Sequence, residues 1–387
     1  MALDALWGSQ TMTEPDPGKD YAEPHRGMPP LDPSGPPVSY FEFWPQYRFY
    51  APMVLYWGWL SLRYGGMTLP SIANPLFPNG GWIGESKAKV MGLFGPYARS
   101  LLSPWTLAPG RSPHEAPETA AAKALEQAAM AGLALPLVAK PDMGMRGAGV
   151  RVIREPAHLA AYYAKFPPGE PFILQRLVAK EGEAGVFYVR KPSERRGQII
   201  SLTLKYFPYV TGDGVSTLAQ LIESDPRAGL LKHIYLPRHA HRLDMVLEKG
   251  EPFRIAFAGS HSRGAIFRDG GAHVTPQMTA AFDAIADDVP EFYFGRFDIR
   301  FDDFEQVKNG TGFTIIELNG AGAEATHVWD RNMTLRAAYG ALMRQYRLMW
   351  EIGRENQLRG FEPIKILDIL AANERERALA MSYPLTE

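Results

Sequence analysis

The chain has 387 residues, 41 Lys and Arg against 42 Asp and Glu, a formal net charge of −1 and no cysteine. That length suggests two or three domains with sizeable cores. The charge balance gives no ground for a nucleic-acid or acidic-membrane partner, and the missing thiol excludes disulfides, thiolate zinc sites and cysteine nucleophiles.

The N-terminus lacks a basic stretch followed by an apolar one, so no secretory signal is expected, and a cytoplasmic location fits. Residues 1–38 are rich in Pro, Gly and charge and read as a disordered or loosely draped tail. Phe41 to Gly66 is aromatic and reads as helical. Within it, Phe49 to Leu62 is uncharged and flanked by Arg48 and Arg63. It is shorter than the ~20 apolar residues that span a bilayer. It reads as a buried helix, with a membrane-interface patch or an apolar substrate lining as alternatives. Met67 to Asn74 reads as a strand, Gly80-Gly81 as a turn, and Ser86 to Phe94 as a helix capped by Glu85 or Ser86.

Pro104 to Pro117 is a linker by composition, and Glu118 to Leu133 an Ala-rich helix. Strands are expected at Leu135–Lys140, Gly149–Ile153, Phe172–Leu177, Gly185–Arg190 and Gly197–Tyr206. Helices are expected at Pro156–Phe166, Ser216–Ser224, Pro276–Val289 and about Met333–Arg354. Helices and strands alternate without strict βαβ spacing, which favours α+β lobes.

Two segments carry chemistry. Lys140-Pro-Asp-Met-Gly144-Met-Arg146-Gly147-Ala-Gly149 joins two strands. Its glycines permit close backbone approach, and successive N–H groups can cradle phosphate oxygens. Arg146 either touches that phosphate or caps the loop. The loop fits neither a Walker A nor a Rossmann pattern, because strand follows strand. The second segment is a hairpin: Phe294 to Phe301, a polar loop over Asp302 to Gly312, then Phe313 to Leu318. Residues two apart on a strand share a face. Arg296 and Asp298 therefore project together on one strand, as do Glu317 and Asn319 on the other. Two carboxylates and an amide make a hard-oxygen set suited to Mg²⁺, with Mn²⁺ as a substitute, shared with substrate phosphates.

In this order the motifs resemble the ATP-grasp superfamily over about Glu85 to Asp330, and most the D-alanine–D-alanine ligase and cyanophycin synthetase branches. The Val210-Thr-Gly-Asp-Gly-Val-Ser-Thr-Leu218 turn and the Ser260-His-Ser-Arg-Gly264 segment resemble the second branch. The resemblance implies an ATP-grasp fold, two α+β lobes gripping ATP, behind a divergent aromatic-rich N-terminal region. The expected divisions are 1–38, 39–112, 113–178 (the first lobe), 179–350 (the second lobe, with the metal) and a helical tail, 351–387.

It further implies that Lys87, Lys140 and Lys205 bind phosphate, beside the loop's Gly144 and Gly147 and, in one of its two readings, Arg146. Gln175 and Leu177 would frame the adenine hinge. Glu183, with Glu181 its competitor, would hold the ribose. Asp298, Glu317 and Asn319 would hold Mg²⁺, and Arg296 and Arg300 would act on the transferred phosphoryl group. For Arg300 the alternative is a structural pairing with Asp302 or Asp303.

The implied reaction is ATP-dependent, ADP-forming ligation of a small-molecule carboxylate to an amine through an acylphosphate. A homodimer is compatible with the resemblance. A non-ligating nucleotide binder and a peripheral membrane ligase are the competing readings. The usual glycine-rich substrate domain is not recognisable before Glu85, and Gly320-Ala-Gly-Ala-Glu324 departs from the family's Ser-Pro-Gly, so D-alanine specificity is not implied. Glu324, His261 and His327 flank the presumed acceptor site. His233, His239 and His241 read as a solvated or substrate-facing loop, because their spacing lacks a fourth ligand.

Overall fold

The computed structural model describes residues 23–32, 34–144, 147–257, 259, 261, 264–384 and 386. The first large element is α1 (Gln46–Tyr64), which buries Phe49, Met53 and Leu60 on one face. Its other face stays in solvent, with Tyr47, Leu55 and Leu62 at least 78% exposed. The aromatic segment is thus half core and half surface, and none of the helices among the described residues is long and apolar enough to cross a membrane.

The expected strand at Met67–Asn74 is instead a 3-10 turn, Leu69–Ile72, with Pro70 near its start. Proline removes a ladder donor, and its fixed φ suits a first helical turn. Next come α2 (Lys87–Gly92) and α3 (Pro96–Leu101). Of the two expected caps on α2 it is Ser86 that serves, its Oγ accepting from the Lys89 N–H.

A first antiparallel sheet is built from β1 (Trp105–Ala108), β2 (Leu137–Pro141), β3 (Arg151–Ile153) and β4 (Phe172–Arg176), in the order β1-β4-β2-β3. β1 lies inside what composition presents as a linker, and it precedes the expected lobe boundary at 113. Two helices, α4 (Pro117–Met130) and α5 (Pro156–Lys165), cover one face. Leu137, Ala139, Phe172 and Leu174 pack beneath them with Ala120, Ala124, Leu159 and Tyr162. Period-2 alternation then sends Val138, Lys140 and Gln175 to the opposite face.

The second sheet contains β5 (Gly182–Val189), β6 (Gln198–Tyr206), β9 (Ile266–Asp269), β10 (Phe294–Phe301) and β11 (Phe313–Asn319), in the order β11-β10-β5-β6-β9. Between β6 and β9 lie β7 (Tyr209–Thr211), α6 (Leu218–Ser224), α7 (Lys232–Arg238) and β8 (Pro252–Arg254). A helix α8 (Pro276–Asp287) packs Met278, Phe282 and Ile285 against Val186, Phe297 and Ile299. The loop expected at Asp302–Gly312 contains a short helix, α9 (Phe304–Lys308), capped by Asp303.

The chain closes with α10 (Leu335–Leu358) and α11 (Ile366–Ser382). α10 backs α1: Trp57 sits edge-on to Trp350, with centroids 4.2 Å apart. The segment after α11 returns to the first sheet. Tyr383 stacks on Phe166 and donates to Met143 O, and Thr386 Oγ1 donates to Gly147 O. At the other end, residues 23–32 and 34–38, part of the expected draped tail, are held in place. Tyr206 donates to Pro29 O, Arg331 to Asp32 O, and Met28 and Leu31 pack on the core of the second sheet. The class is α+β, as expected, with the two sheets facing a shared cavity.

Candidate functional site

That cavity, about 970 Å³, is lined from both sheets, and its size falls at the upper end for small-molecule sites. Lys87, Lys140, Gly144, Gly147, Gln175, Leu177, Glu183, Lys205, Arg296, Asp298, Arg300, Glu317 and Asn319 all line it. Arg146 lies outside the described residues.

The hairpin forms in the expected register: Arg296 stands opposite Asn319, and Asp298 opposite Glu317. Beyond Asp298 the register shifts, so that Ile299 pairs with Ile315 and Ile316 is the extra residue. This β-bulge reverses the parity of β11. Phe313 and Ile315 point into the core, while Glu317 and Asn319 reach the cavity. It also lets Ile316 O accept from Lys140 Nζ at 3.0 Å, tying the two sheets together.

A row of alternating charge crosses the second sheet. Arg300 Nε is 2.8 Å from Glu183 Oε2, and Lys205 Nζ is 3.0 Å from Glu183 Oε1 and 2.9 Å from Asp298 Oδ1. Arg296 bonds Asp298 through Nε at 2.9 Å and through its second nitrogen at 3.2 Å. Burial alone would raise the Asp298 carboxyl, but Arg296 and Lys205 hold it down at about 2. Asp298 is therefore ionised across the neutral range. Burial lowers Lys140 to about 8, against the pull of Glu317. Lys87 donates to Gly144 O and stands 3.6 Å from Glu317. Arg300 pairs with Glu183 and donates to Lys180 O, and Asp302 pairs with Lys180; the alternative Arg300 pairing with Asp302 or Asp303 is not seen among the described residues.

Of the two ribose candidates, Glu183 lines the cavity. Glu181 is held away by Arg254 at 3.0 Å and Tyr209 at 2.9 Å. At the hinge, Gln175 Nε2 donates to Ser103 O, and the Leu177 N–H reaches Pro136 O at a long 3.4 Å. Leu177, Val138 and Val150 pack on Phe257, giving an apolar slot at the cavity's edge. Phe257 was not legible, because its segment carries no periodic pattern.

Three further carboxylates in the cavity, Glu42, Glu85 and Glu376, escaped the sequence reading. Glu85, considered only as a cap, accepts from Gly320 N–H, and its Oε1 is buried without a partner. Burial pushes it up to about 8, opposed by that Gly320 bond and by Lys87. Glu376, from α11, accepts from Gly84 N–H.

The histidines separate. His327 bonds Ser201 Oγ at 2.6 Å and does not line the cavity, and burial lowers its pKa. His261 lines the cavity and bonds Glu42 Oε1 at 2.9 Å. His239 is buried against Ile255 O and burial pushes it down to about 4, so it is no part of a solvated loop.

Among the described residues no group of three His, Cys, Asp or Glu side chains is placed to hold a metal. The set that fits is two carboxylates plus an amide: Asp298 and Glu317 face each other across β10 and β11, and Asn319 Nδ2 lies 3.5 Å from Asp298 Oδ2. An all-oxygen donor set of this kind suits Mg²⁺.

No protein-family model matches the chain, and no curated protein matches it. Three solved structures illustrate what it is similar to. A bifunctional glutathione synthetase from Pasteurella multocida is 14% identical, with TM-score 0.34, over 67% of this chain and 35% of that one. The D-cycloserine synthetase DcsG is 14% identical, with TM-score 0.37, over 78% and 81%. The VanG D-Ala:D-Ser ligase from Enterococcus faecalis is 12% identical, with TM-score 0.38, over 74% and 64%. The chain thus spans about a third of the synthetase's length, and likenesses this distant do not establish a family.

Proposed function

We propose that the protein is an ATP-dependent, ADP-forming carboxylate–amine ligase of the ATP-grasp type. One observation carries this reading: cationic side chains from α2 and both sheets (Lys87, Lys140, Lys205 and Arg296) converge on one cavity with the Asp298–Glu317–Asn319 edge. Phosphoryl transfer is mostly positioning and charge stabilisation, which such a set supplies.

In this reading the adenine lies in the slot of Val138, Val150, Leu177 and Phe257. Lys87, Lys140 and Lys205 offset the triphosphate charge. Asp298, Glu317 and Asn319 would hold Mg²⁺, which when bound neutralises phosphate oxygens. Arg296, held by Asp298 and the Glu324 backbone, adds its positive charge beside the moving phosphoryl group, while Arg300 fixes Glu183.

A substrate carboxylate oxygen attacks the γ-phosphorus, the bond to the β–γ bridging oxygen breaks, and ADP leaves. The lone pair of a neutral amine then attacks the acyl carbon. The carbon–oxygen bond to phosphate breaks, phosphate leaves, and the surplus amine proton passes to phosphate or water. Both substrates are small molecules, and no nucleic acid takes part.

The test is a panel of carboxylic acids with Mg·ATP and hydroxylamine in place of the amine. The reading expects acid-dependent hydroxamate with stoichiometric ADP. Formation of AMP and pyrophosphate, or ADP release indifferent to every acid, would overturn it.

A further inference from the structure

The end of the cavity beside Arg296 is walled by aromatic rings. Phe43 stacks on His261 at 5.8 Å, His261 on Trp329 at 5.1 Å, and Trp329 packs on Phe49 at 4.7 Å. All four line the cavity. The wall is fixed from behind, because Glu42, itself buried, binds both His261 and Arg227.

Set into this wall is Glu324. Its carboxylate accepts from Tyr50 OH and, at 2.7 Å, from Trp329 Nε1. Both donors are neutral, and among the described residues no Lys or Arg forms an ion pair with it. Its backbone oxygen accepts from Arg296 at 3.0 Å, which puts it next to the proposed phosphoryl site.

Resting on the ligase reading, we propose that this end takes the amine substrate, and that the amine is a primary ammonium carried on an aromatic body. A half-buried carboxylate whose two hydrogen-bond donors are neutral attracts a cation and repels the carboxylate substrate. Aromatic faces add to the attraction for an ammonium and bury a flat ring by stacking. Among the described residues, the Arg227 guanidinium beside Phe43 is already paired with Glu42. Arg296 adjoins the pocket but is committed to Asp298 and the Glu324 backbone.

The experiment is titration of the full-length protein with phenethylamine, butylamine and 3-phenylpropionate, followed by calorimetry or saturation-transfer NMR. Phenethylamine is expected to bind about tenfold or more tightly than either of the others, and Glu324→Gln to weaken it about tenfold, each tenfold being about 1.4 kcal/mol. Equal or tighter binding of 3-phenylpropionate, or phenethylamine affinity unchanged in Glu324→Gln, would overturn the proposal. Should Glu324→Gln fail to fold, the comparison of the three ligands on the native protein decides alone. Mg·ATP binding is measured on the same sample. Its absence would remove the ligase reading, whereas a failure of phenethylamine alone would remove only the assignment of the amine.

Discussion

The two ends of the cavity are built in different ways. At the phosphate end, most of the charged groups sit on adjacent strands of one sheet, where each residue's direction follows from its neighbours'. At the aromatic end, Phe43, Phe49, Tyr50, His261, Glu324 and Trp329 come from separate segments brought together by packing. A chemical set carried on paired strands depends on register; one assembled from loops and helices depends on the core behind it. Substitutions should therefore change rate at the first end and stability at the second.

The largest expected effect is at the hairpin. Asp298→Asn should lower Mg·ATP turnover by about 10³, some 4 kcal/mol, measured by coupled ADP release. Asn keeps the shape, but Arg296 and Lys205 lose their shared counter-charge, so some destabilisation accompanies the loss. Glu317→Gln separates the two effects. Glu317 is partly exposed and, among the described residues, forms an ion pair only with Lys87, so turnover should fall while the melting midpoint holds. Unchanged turnover in either variant would break the comparison.

Next in size, Phe49→Ala should cost roughly 3 kcal/mol of stability. Phe49 is 1% exposed and touches Phe41, Trp329 and Tyr339. Denaturant titration reads it, and a loss below about 1 kcal/mol would mean the wall does not depend on its packing.

Acid sharpens the same point. Burial would raise the Glu42 carboxyl, but His261 and Arg227 bring it from 4.5 down to about 2. Its stabilising contribution is complete above about pH 4.5 and is lost as pH falls towards 2, by up to about 3 kcal/mol. Glu42→Gln should be less stable than the native protein at pH 6, and the gap should narrow to about 1 kcal/mol or less by pH 2.5. A gap that does not change with pH would show that Glu42 acts through shape alone. The smallest effect expected is Lys140→Ala, raising the KM for ATP about 10- to 100-fold, with a loss of about 1 kcal/mol of stability from the Ile316 bond it removes. An unchanged KM would remove Lys140 from the nucleotide.

How much of this was legible follows the same division. Asp298, Glu317, Asn319 and Arg296 could be read from spacing because strand geometry is local. Even there the bulge at Ile316 was hidden: parity alone would place Glu317 on the same face as Phe313 and Ile315, and only the β10 register shows the switch. β1 was hidden in Pro/Gly composition, since an edge strand of four residues has little pattern of its own. The strand expected at Met67–Asn74 failed because Pro70 and tertiary contacts outweighed its alternation. Glu376 and Thr386 lie more than 200 residues from the groups they bond, and no local signal reports such a contact. Glu324 is marked in the sequence by its place after the hairpin, whereas its aromatic setting is visible only in the fold.

The most direct test is a crystal structure with Mg²⁺ and a non-hydrolysable ATP analogue. The account predicts a cation about 2.1 Å from oxygens of Asp298 and Glu317, β- and γ-phosphates within reach of Lys140 and Lys205, and adenine between Val138 and Leu177. Nucleotide bound away from this cavity, or bound in it with the Asp298–Glu317 edge free of the cation, would contradict it.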